Sequence, residues 1–363
     1  MNKKLFNPNG IGLKNDHIFG LDTNYEDADF VIVPVPWEVT VSYRSGTASA
    51  PKNILDTSSQ IDLFHEDFPK LWQQGIYMLP IDGNVLAKNQ ELSKISRKVI
   101  NDLESGVVES DPAILKSVSV VNRGCDWCVN YVKEVVLKCL KDQKIVGVLG
   151  GEHGVSEGAI KAFSNIYDSF GVLQFDAHMD LRKDYEGFTH SHASVMRNII
   201  DLPQISNLVQ VGVRDFCEDE FNYANKHQKI TTFTDTQLKK ILFEGQSWQS
   251  LCDKIIESLP EKIYITLDID VLNPALCPST GTPVPGGLQY EQLFYLISKT
   301  KKTKKQIIGF DLVEVAGAPD TINTIVGARA LYGLLGAVAK YQKNLHWHMS
   351  ANSPIKNKVS NKF

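Results

Sequence analysis

The 363-residue chain lacks the features that mark membrane, nucleic-acid-binding or disordered proteins. No apolar run approaches the roughly 20 residues that a membrane helix requires. The 38 basic and 42 acidic side chains leave a net charge of −4, so there is no basic excess to attract nucleic acid. Apolar residues make up 43% of the chain and charged residues 22%, which are the proportions of a globular protein. We therefore expect a folded protein that binds neither a membrane nor nucleic acid.

Cysteine is also scarce, with six residues at irregular spacing, which is not the pattern of a disulfide framework. Cys125 and Cys128 form a lone CxxC, and the further ligands of a zinc site are missing from the sequence around it. We predict that this pair packs in the core at the start of a helix Cys128–Leu140, with metal or redox chemistry as the alternative. The first residues lack the apolar stretch of a secretory signal, so we expect a cytoplasmic protein.

Short β-rich runs alternate along the chain with amphipathic segments, without a repeat or a linker between two halves. Such nearly continuous Val, Ile, Leu and Phe runs are typical of strands that are buried on both faces of a parallel sheet. The predicted strands are Phe30–Pro36, Ile145–Leu149, Val172–Phe175, Leu208–Val213, Ile263–Leu267 and Ile307–Leu312. The predicted helices are Glu91–Leu103, Val129–Leu140, Val155–Phe163, Ser247–Leu259, Tyr290–Ser298 and Thr324–Ala339. We predict one α/β domain over residues 1–363, with a loosely held tail from about Asn344.

Carboxylates and histidines gather where four of the predicted strands end. These places are Gly150-Gly-Glu-His153, Asp176-Ala-His178-Met-Asp180, Asp268-Ile-Asp270 and Glu314. In an extended chain, residues two apart point to the same side, so the side chains within each DxHxD or DxD run can project together. Ligands of open parallel sheets bind beyond the carboxyl ends of the strands. We therefore expect the four places to converge on one crevice.

The charge of this crevice indicates metal ions. Asp176, Asp180, Asp268 and Asp270 would bring about four negative charges together, and each would cost several kcal/mol without compensation. Two divalent cations neutralise them, and oxygen ligands with one or two imidazoles suit Mn²⁺, although zinc and copper can bind such a site. Two metals can share a water molecule and ionise it near neutral pH. The site would then favour a cationic electrophile.

Together these motifs resemble the ureohydrolases, the family of arginase, agmatinase and their relatives. The resemblance spans about Val33 to Ala339. The matching segments are Pro34-Val-Pro36 with Ser42-Tyr-Arg-Ser-Gly46, Gly150-Gly-Glu-His153, Phe175-Asp-Ala-His-Met-Asp180, Ser191-His-Ala-Ser194, Asp268-Ile-Asp270, Thr280-Gly-Thr-Pro-Val-Pro-Gly-Gly287 and Asp311-Leu-Val-Glu-Val-Ala316. The resemblance implies a three-layer arginase-like fold, with helices on both sides of a mainly parallel sheet.

The resemblance also implies a role for each matching residue. Two Mn²⁺ ions per chain would be bound, with Ni²⁺ as an alternative. One would be held by His153, Asp176, Asp180 and Asp268, and the other by Asp176, His178, Asp268 and Asp270. His192 matches the histidine that transfers a proton, and Glu314 matches the carboxylate that receives the guanidinium group of a small cationic substrate. Relatives are commonly homotrimers or homohexamers.

The substrate is less defined than the reaction. The loop Leu181–Ser191 has no asparagine to recognise an amino-acid head group, and it resembles prokaryotic agmatinases. Asp184 and Glu186 in this loop favour a free amine, unless they are only solvated loop charges. We therefore expect hydrolysis of agmatine to putrescine and urea, as part of polyamine metabolism. Aminopropylagmatine, guanidinobutyrate, guanidine and arginine remain alternatives.

Three positions depart from the usual pattern of the resembled family. Glu152 and Gly154 stand where Gly-Gly-Asp-His-Ser is usual, and Gly317 stands where proline usually follows Val-Ala. His190, two residues before His192, is a further candidate for the site, although a purely structural role is favoured. Two functions outside the family also remain: a deacetylase-like hydrolase with one metal, and a binding protein without catalytic activity.

Overall fold

The computed structural model describes residues 7–339, and the predicted tail from about Asn344 lies outside the described residues. These residues form one sheet of eight parallel strands in the order β2-β1-β3-β8-β7-β4-β5-β6. The strands are β1 Phe30–Val35, β2 Ile76–Met78, β3 Ile145–Gly150, β4 Phe170–Phe175, β5 Ile205–Val211, β6 Ile230–Phe233, β7 Lys262–Asp268 and β8 Gln306–Val313. The predicted α/β fold with a parallel sheet is therefore confirmed.

Helices cover both faces of the sheet and complete three layers. They are α1 Ala50–Ser58, α2 Gly83–Glu104, α3 Pro112–Lys141, α4 Ser156–Ser164, α5 Val195–Ile199, α6 Glu218–Lys226, α7 Asp235–Phe243, α8 Trp248–Glu257, α9 Tyr290–Lys301 and α10 Ile322–Val338. Apolar side chains of α1, α8, α9 and α10 form one core with the sheet. Those of α2, α3, α4 and α5 form a second core on the opposite face. No helix of the described residues combines the length and the apolar content that crossing a bilayer requires.

The sequence prediction locates the six central strands but misses both edges of the sheet. The missed strands, β2 and β6, have three and four residues, too few for a clear apolar pattern. The helices α1, α5, α6 and α7 are also absent from the prediction. The helix α5 has only five residues, whereas α1, α6 and α7 have nine each and polar side chains make up much of each. Their position depends on packing against the sheet more than on local sequence.

The CxxC motif is not at the start of a helix, so that part of the prediction is wrong. Asp111 caps α3 by accepting from the amide of Ala113, and Pro112 occupies the first turn, where its missing N–H costs nothing. Cys125 and Cys128 therefore lie in the middle of a 30-residue helix. Both are buried in the apolar core on the α3 side of the sheet, and burial raises the pKa of both thiols.

The topology brings the motif-bearing strands side by side. Strands β3, β8, β7 and β4 are consecutive in the centre of the sheet. Because all of them are parallel, their carboxyl ends lie at one edge. Each motif that follows one of these strands thus begins at the same edge of the sheet.

Candidate metal centre

The six predicted metal ligands converge at the carboxyl ends of three central strands. His153 lies three residues beyond the end of β3, Asp176 directly follows β4, and Asp268 is the last residue of β7. All six side chains are buried, except that His178 is partly exposed. The predicted convergence is therefore seen in the structure.

The distances divide the ligands into two groups. His153 Nδ1 lies 2.9 Å from Asp176 Oδ2, 2.9 Å from Asp180 Oδ2 and 3.5 Å from Asp268 Oδ2. His178 Nδ1 lies 3.0 Å from Asp270 Oδ2 and 3.5 Å from Asp176 Oδ1. Asp176 thus presents one oxygen to each group, which is the arrangement of a bridging carboxylate. Asp268 directs Oδ2 to the first group, while its Oδ1 accepts the amide N–H of Asp270 at 2.8 Å.

A hydrogen-bond chain fixes the tautomer of His153. Thr266 Oγ1 donates to Asp311 Oδ1 at 2.7 Å, so its hydrogen is not available to the imidazole. His153 Nε2, at 2.8 Å from Thr266 Oγ1, must then be the donor. The buried Nδ1 faces the surrounding carboxylates, and in the neutral form of the ring this nitrogen carries the lone pair. A lone pair that faces carboxylate oxygens fits a cation between them.

The charges of the cluster support the same conclusion. Burial and the charge of Asp176 raise the pKa of Asp180 to about 7. Burial, Asp270 and Asp176 also raise the pKa of Asp268 well above its usual range. Carboxylates held this close resist ionisation unless positive charge lies among them. Hard oxygen ligands with two imidazoles are a donor set that divalent cations such as Mn²⁺ accept, so the residues present fit two metal ions.

Further polar residues, which the sequence analysis missed, support the ligands from inside the strands. Gln174 Nε2 donates to Asp176 Oδ2 at 2.8 Å, and Gln210 Nε2 donates to Gln174 Oε1 at 2.7 Å. Gln174 and Thr266 each lie two residues before a ligand on a buried strand. The period of two places them on the same side as that ligand. A polar residue at this offset in an apolar strand is the signal that predicts them.

Glu314 is held beside the metal ligand His153 by a hydrogen bond from the backbone of that ligand. It follows β8, is buried, and adopts φ +60°, a left-handed conformation that costs a non-glycine residue energy. Its Oε1 accepts the amide N–H of His153 at 2.8 Å, and its backbone carbonyl accepts from Thr280 Oγ1 at 2.8 Å. A Cβ added at Gly281 would come within 3.2 Å of Oε2, so glycine leaves space next to this oxygen. Burial raises the pKa of Glu314 well above its usual range.

His192 lies close to the cluster in the Ser191–Ser194 turn. Its partly exposed ring stands edge-on to Tyr185, with the ring centroids 6.0 Å apart. Burial lowers the pKa of His192 to about 4, and the nearby imidazoles of His178 and His153 act in the same direction. The ring is therefore neutral at neutral pH, and one of its nitrogens is free of hydrogen.

Two of the three departures have a structural reason. A Cβ at Gly154 would lie 3.5 Å from Glu152 Oε1 and 3.3 Å from the carbonyl carbon of Ser191. A side chain at this position would thus be tight against the Ser191 backbone and in van der Waals contact with the carboxyl group of Glu152. Gly317 has φ +112°, which proline cannot adopt, so the chain after Glu314 follows a different course from one with proline there.

The remaining candidates are structural or lie at the surface. His190 Nδ1 is 2.9 Å from Oε2 of the buried Glu157. This contact connects the loop that contains His190 to α4. Asp184 is exposed. Burial and the charge of Glu104 at the end of α2 raise the pKa of Glu186 to about 7. Glu186 therefore faces α2, which weakens its predicted role in selecting a substrate amine.

The parallel sheet and the cluster at its carboxyl edge define a three-layer α/β protein with a site suited to metal. A family model described as the arginase family matches residues 28–336. The chain belongs to the arginase family, and the prediction of an agmatinase-like ureohydrolase, a hydrolase of guanidino compounds, is confirmed.

Relatives match this chain over most of its length. An N(1)-aminopropylagmatine ureohydrolase from Synechocystis is 28% identical over 327 residues, which are 88% of this chain and 92% of the relative. An agmatinase from Halalkalibacterium halodurans is 29% identical, over 82% of this chain and 87% of the relative. The solved structure of an agmatine ureohydrolase from Thermoplasma volcanium superposes with a TM-score of 0.66 at 22% identity, over 93% of this chain and 96% of that chain. That superposition confirms the fold.

Proposed function

We propose that the protein hydrolyses agmatine to putrescine and urea with two Mn²⁺ ions. The observation that carries the proposal is the position of Glu314, whose Oε1 accepts the amide of the metal ligand His153. A buried carboxylate is thereby fixed next to a site suited to two cations. A substrate with a planar guanidinium group fits both, because the carboxylate pairs with its charge and orients its carbon.

The two groups of side chains support the predicted ligand sets, except that Asp268 approaches only the first group. One ion would be held by His153, Asp176, Asp180 and Asp268, and the other by Asp176, His178, Asp268 and Asp270. If bound there, two such ions would supply a water molecule of lowered pKa as the nucleophile of the hydrolysis. A deacetylase-like site with one metal ion would leave the second group of candidate ligands unexplained. A binding protein without catalytic activity leaves the retained acidic cluster unexplained.

The protein's own residues bind the substrate and move a proton. Glu314 would bind the guanidinium group through charge-assisted hydrogen bonds. The leaving group is an amine, which departs only after its nitrogen has been protonated. His192 is neutral at neutral pH, so its ring can take up a proton and deliver it to that nitrogen.

The choice of agmatine depends on the loop that follows the DxHxD motif. This loop, residues 181–191, has no asparagine for an amino-acid head group, which disfavours arginine. N(1)-aminopropylagmatine is the second candidate substrate, because the Synechocystis relative is named as a ureohydrolase of that compound. Agmatine and N(1)-aminopropylagmatine both present a guanidinium group at one end. We also propose that the chain is one domain, works in the cytoplasm and assembles as a trimer or hexamer.

The test is urea release from a panel of guanidino compounds by the manganese-loaded protein. The panel contains agmatine, aminopropylagmatine, guanidinobutyrate, arginine and guanidine, and it is repeated with nickel. We expect agmatine to have the highest kcat/KM. The matched variant Glu314→Gln should keep its metal and lose about 10- to 100-fold in kcat/KM, because it loses a hydrogen bond to a charged group. A preference for another compound would refute the substrate, and unchanged kcat/KM in Glu314→Gln would refute its role.

A further inference from the structure

A buried carboxylate next to the metal ligands has no place in the proposed reaction. Glu152 is fully buried, yet it belongs to neither group of metal ligands. Its Oε2 accepts two hydrogen bonds from Thr40, one from the amide N–H at 2.8 Å and one from Oγ1 at 3.0 Å. A buried carboxyl group whose Oε2 accepts from two donors of one residue points to a positional role.

Thr40 connects this carboxylate to His192. Thr40 Oγ1 accepts the amide N–H of His192 at 3.1 Å, and it lies 3.3 Å from His192 Nδ1. A threonine hydroxyl has one hydrogen to donate and two lone pairs to accept with. Its hydrogen is used by Glu152 and one lone pair is used by the His192 amide. The contact with Nδ1 must then be a hydrogen bond from the ring to Thr40.

We propose that Glu152 and Thr40 are positioning residues that hold His192 in the Nδ1–H tautomer. The ring then has Nε2 as its one nitrogen without a hydrogen. The proton that the ring takes up enters at Nε2, and the same nitrogen releases it to the leaving amine. The effect on turnover rests on the proposed function, whereas the tautomer does not.

The same contacts account for the unusual residues at this place. Glu152 is one methylene longer than the aspartate that is usual in the resembled family, and the space beside its Oε1 is left by Gly154. The backbone supports the reach of this side chain, because the Glu152 amide donates to the Trp37 carbonyl at 2.8 Å. The chain that follows the carboxyl end of β3 and the segment that contains Thr40 are thereby fixed to each other.

The first measurement is the tautomer of His192 in the wild-type protein. ¹⁵N NMR of histidine-labelled protein, loaded with diamagnetic Zn²⁺, separates a protonated ring nitrogen from an unprotonated one. The His192→Gln variant identifies the ¹⁵N signals of His192, because these signals are missing from its spectrum. We expect the hydrogen on Nδ1. A hydrogen on Nε2 overturns the proposal, whether or not the protein releases urea.

The second measurement compares turnover in manganese-loaded variants of Thr40. Thr40→Val removes the hydroxyl and should lower kcat at least about 10-fold, a part of the 10²–10⁴-fold that a positioned proton donor contributes. KM and the metal content should stay as in the wild type. Thr40→Ser restores the hydroxyl and should recover most of kcat. Thr300→Val is the matched control, because Thr300 is also buried but bonds within its own helix, to the Leu296 carbonyl.

The outcomes separate this proposal from the proposed function. Absence of urea release by the wild type, with metal bound, contradicts the proposed function, and the NMR tautomer then decides this proposal alone. Wild-type kcat in Thr40→Val overturns the positional role. So does a loss of kcat that Thr40→Ser leaves unrecovered, or one that follows a loss of metal. If Thr40→Val fails to fold, the wild-type NMR signal still decides.

Discussion

Replacing Asp268 by asparagine should stabilise the metal-free protein and abolish its response to metal. Ligand atoms of Asp268, Asp176 and His153 all lie within 4.8 Å of one another. Two carboxylate charges at that separation repel by about 3 kcal/mol at an effective dielectric constant of about 20. The Asp268→Asn side chain would keep an amide oxygen to accept the N–H of Asp270, while the negative charge is removed.

The direction of this change in stability follows from the pKa of Asp268. Burial and the charges of Asp270 and Asp176 raise it well above its ordinary value. An aspartate with a raised pKa opposes folding at neutral pH, because it is ionised in the unfolded chain and must either take up a proton or ionise against its neighbours in the folded one. The metal-free variant should therefore unfold a few degrees higher than the metal-free wild type. With metal, the wild type gains about 4 kcal/mol at a thousandfold excess over Kd, and the variant lacks a charged ligand for this gain.

The assay is thermal unfolding with a chelator and with excess Mn²⁺, combined with metal content by mass spectrometry. We expect two ions per chain and a large upward shift for the wild type, and neither for Asp268→Asn. Asp253→Asn is the matched control, because it removes an exposed carboxylate that pairs with Lys299 at the surface. A variant that binds two ions, or that is less stable than the wild type without metal, would refute the ligand assignment.

Three further predictions concern the surroundings of the site. The hydrogen bond that His190 donates to Glu157 raises the pKa of His190 above 6.5, so this pair stabilises the fold most below that pH. The difference in Tm between wild type and His190→Gln should thus be largest near about pH 6 and shrink toward about pH 9; a constant difference contradicts this. Gly154→Ser should lower kcat, because its side chain would contact Glu152 Oε1 and press against the Ser191 backbone; adding Glu152→Asp, which shortens the first of these neighbours, should recover part of kcat, whereas additive losses would exclude the coupling. A thiol reagent should leave Cys128 unmodified in the folded protein, because burial raises the pKa of its thiol; rapid labelling, with urea-unfolded protein as control, would show that the helix opens.

The central strands and the metal ligands could be predicted because each has a strong local pattern. Asp176, His178 and Asp180 directly follow an apolar run, and the period of two in an extended chain puts them on one side. Parallel strands end at the same edge, so residues distant in sequence such as Asp268 could be placed beside them. The location of Glu314 after β8 follows from the same rule.

Contacts across the fold could not be predicted from local pattern. Glu152 contacts Thr40, which is 112 residues earlier, and no periodicity relates the two. His190 lies two residues from His192, yet it pairs with Glu157 on α4, since the turn between them directs the two rings to different neighbours. The start of α3 was missed because its first turns are only partly apolar, whereas its cap at Asp111 is a local signal that identifies it.

The central claim is that two metal ions lie between the side chains at the carboxyl ends of β3, β4 and β7. Anomalous diffraction from manganese-loaded crystals tests it most directly. We predict two manganese peaks per chain, one next to His153 and Asp180 and one next to His178 and Asp270, with Asp176 between them. One peak, or manganese bound elsewhere, would contradict the account.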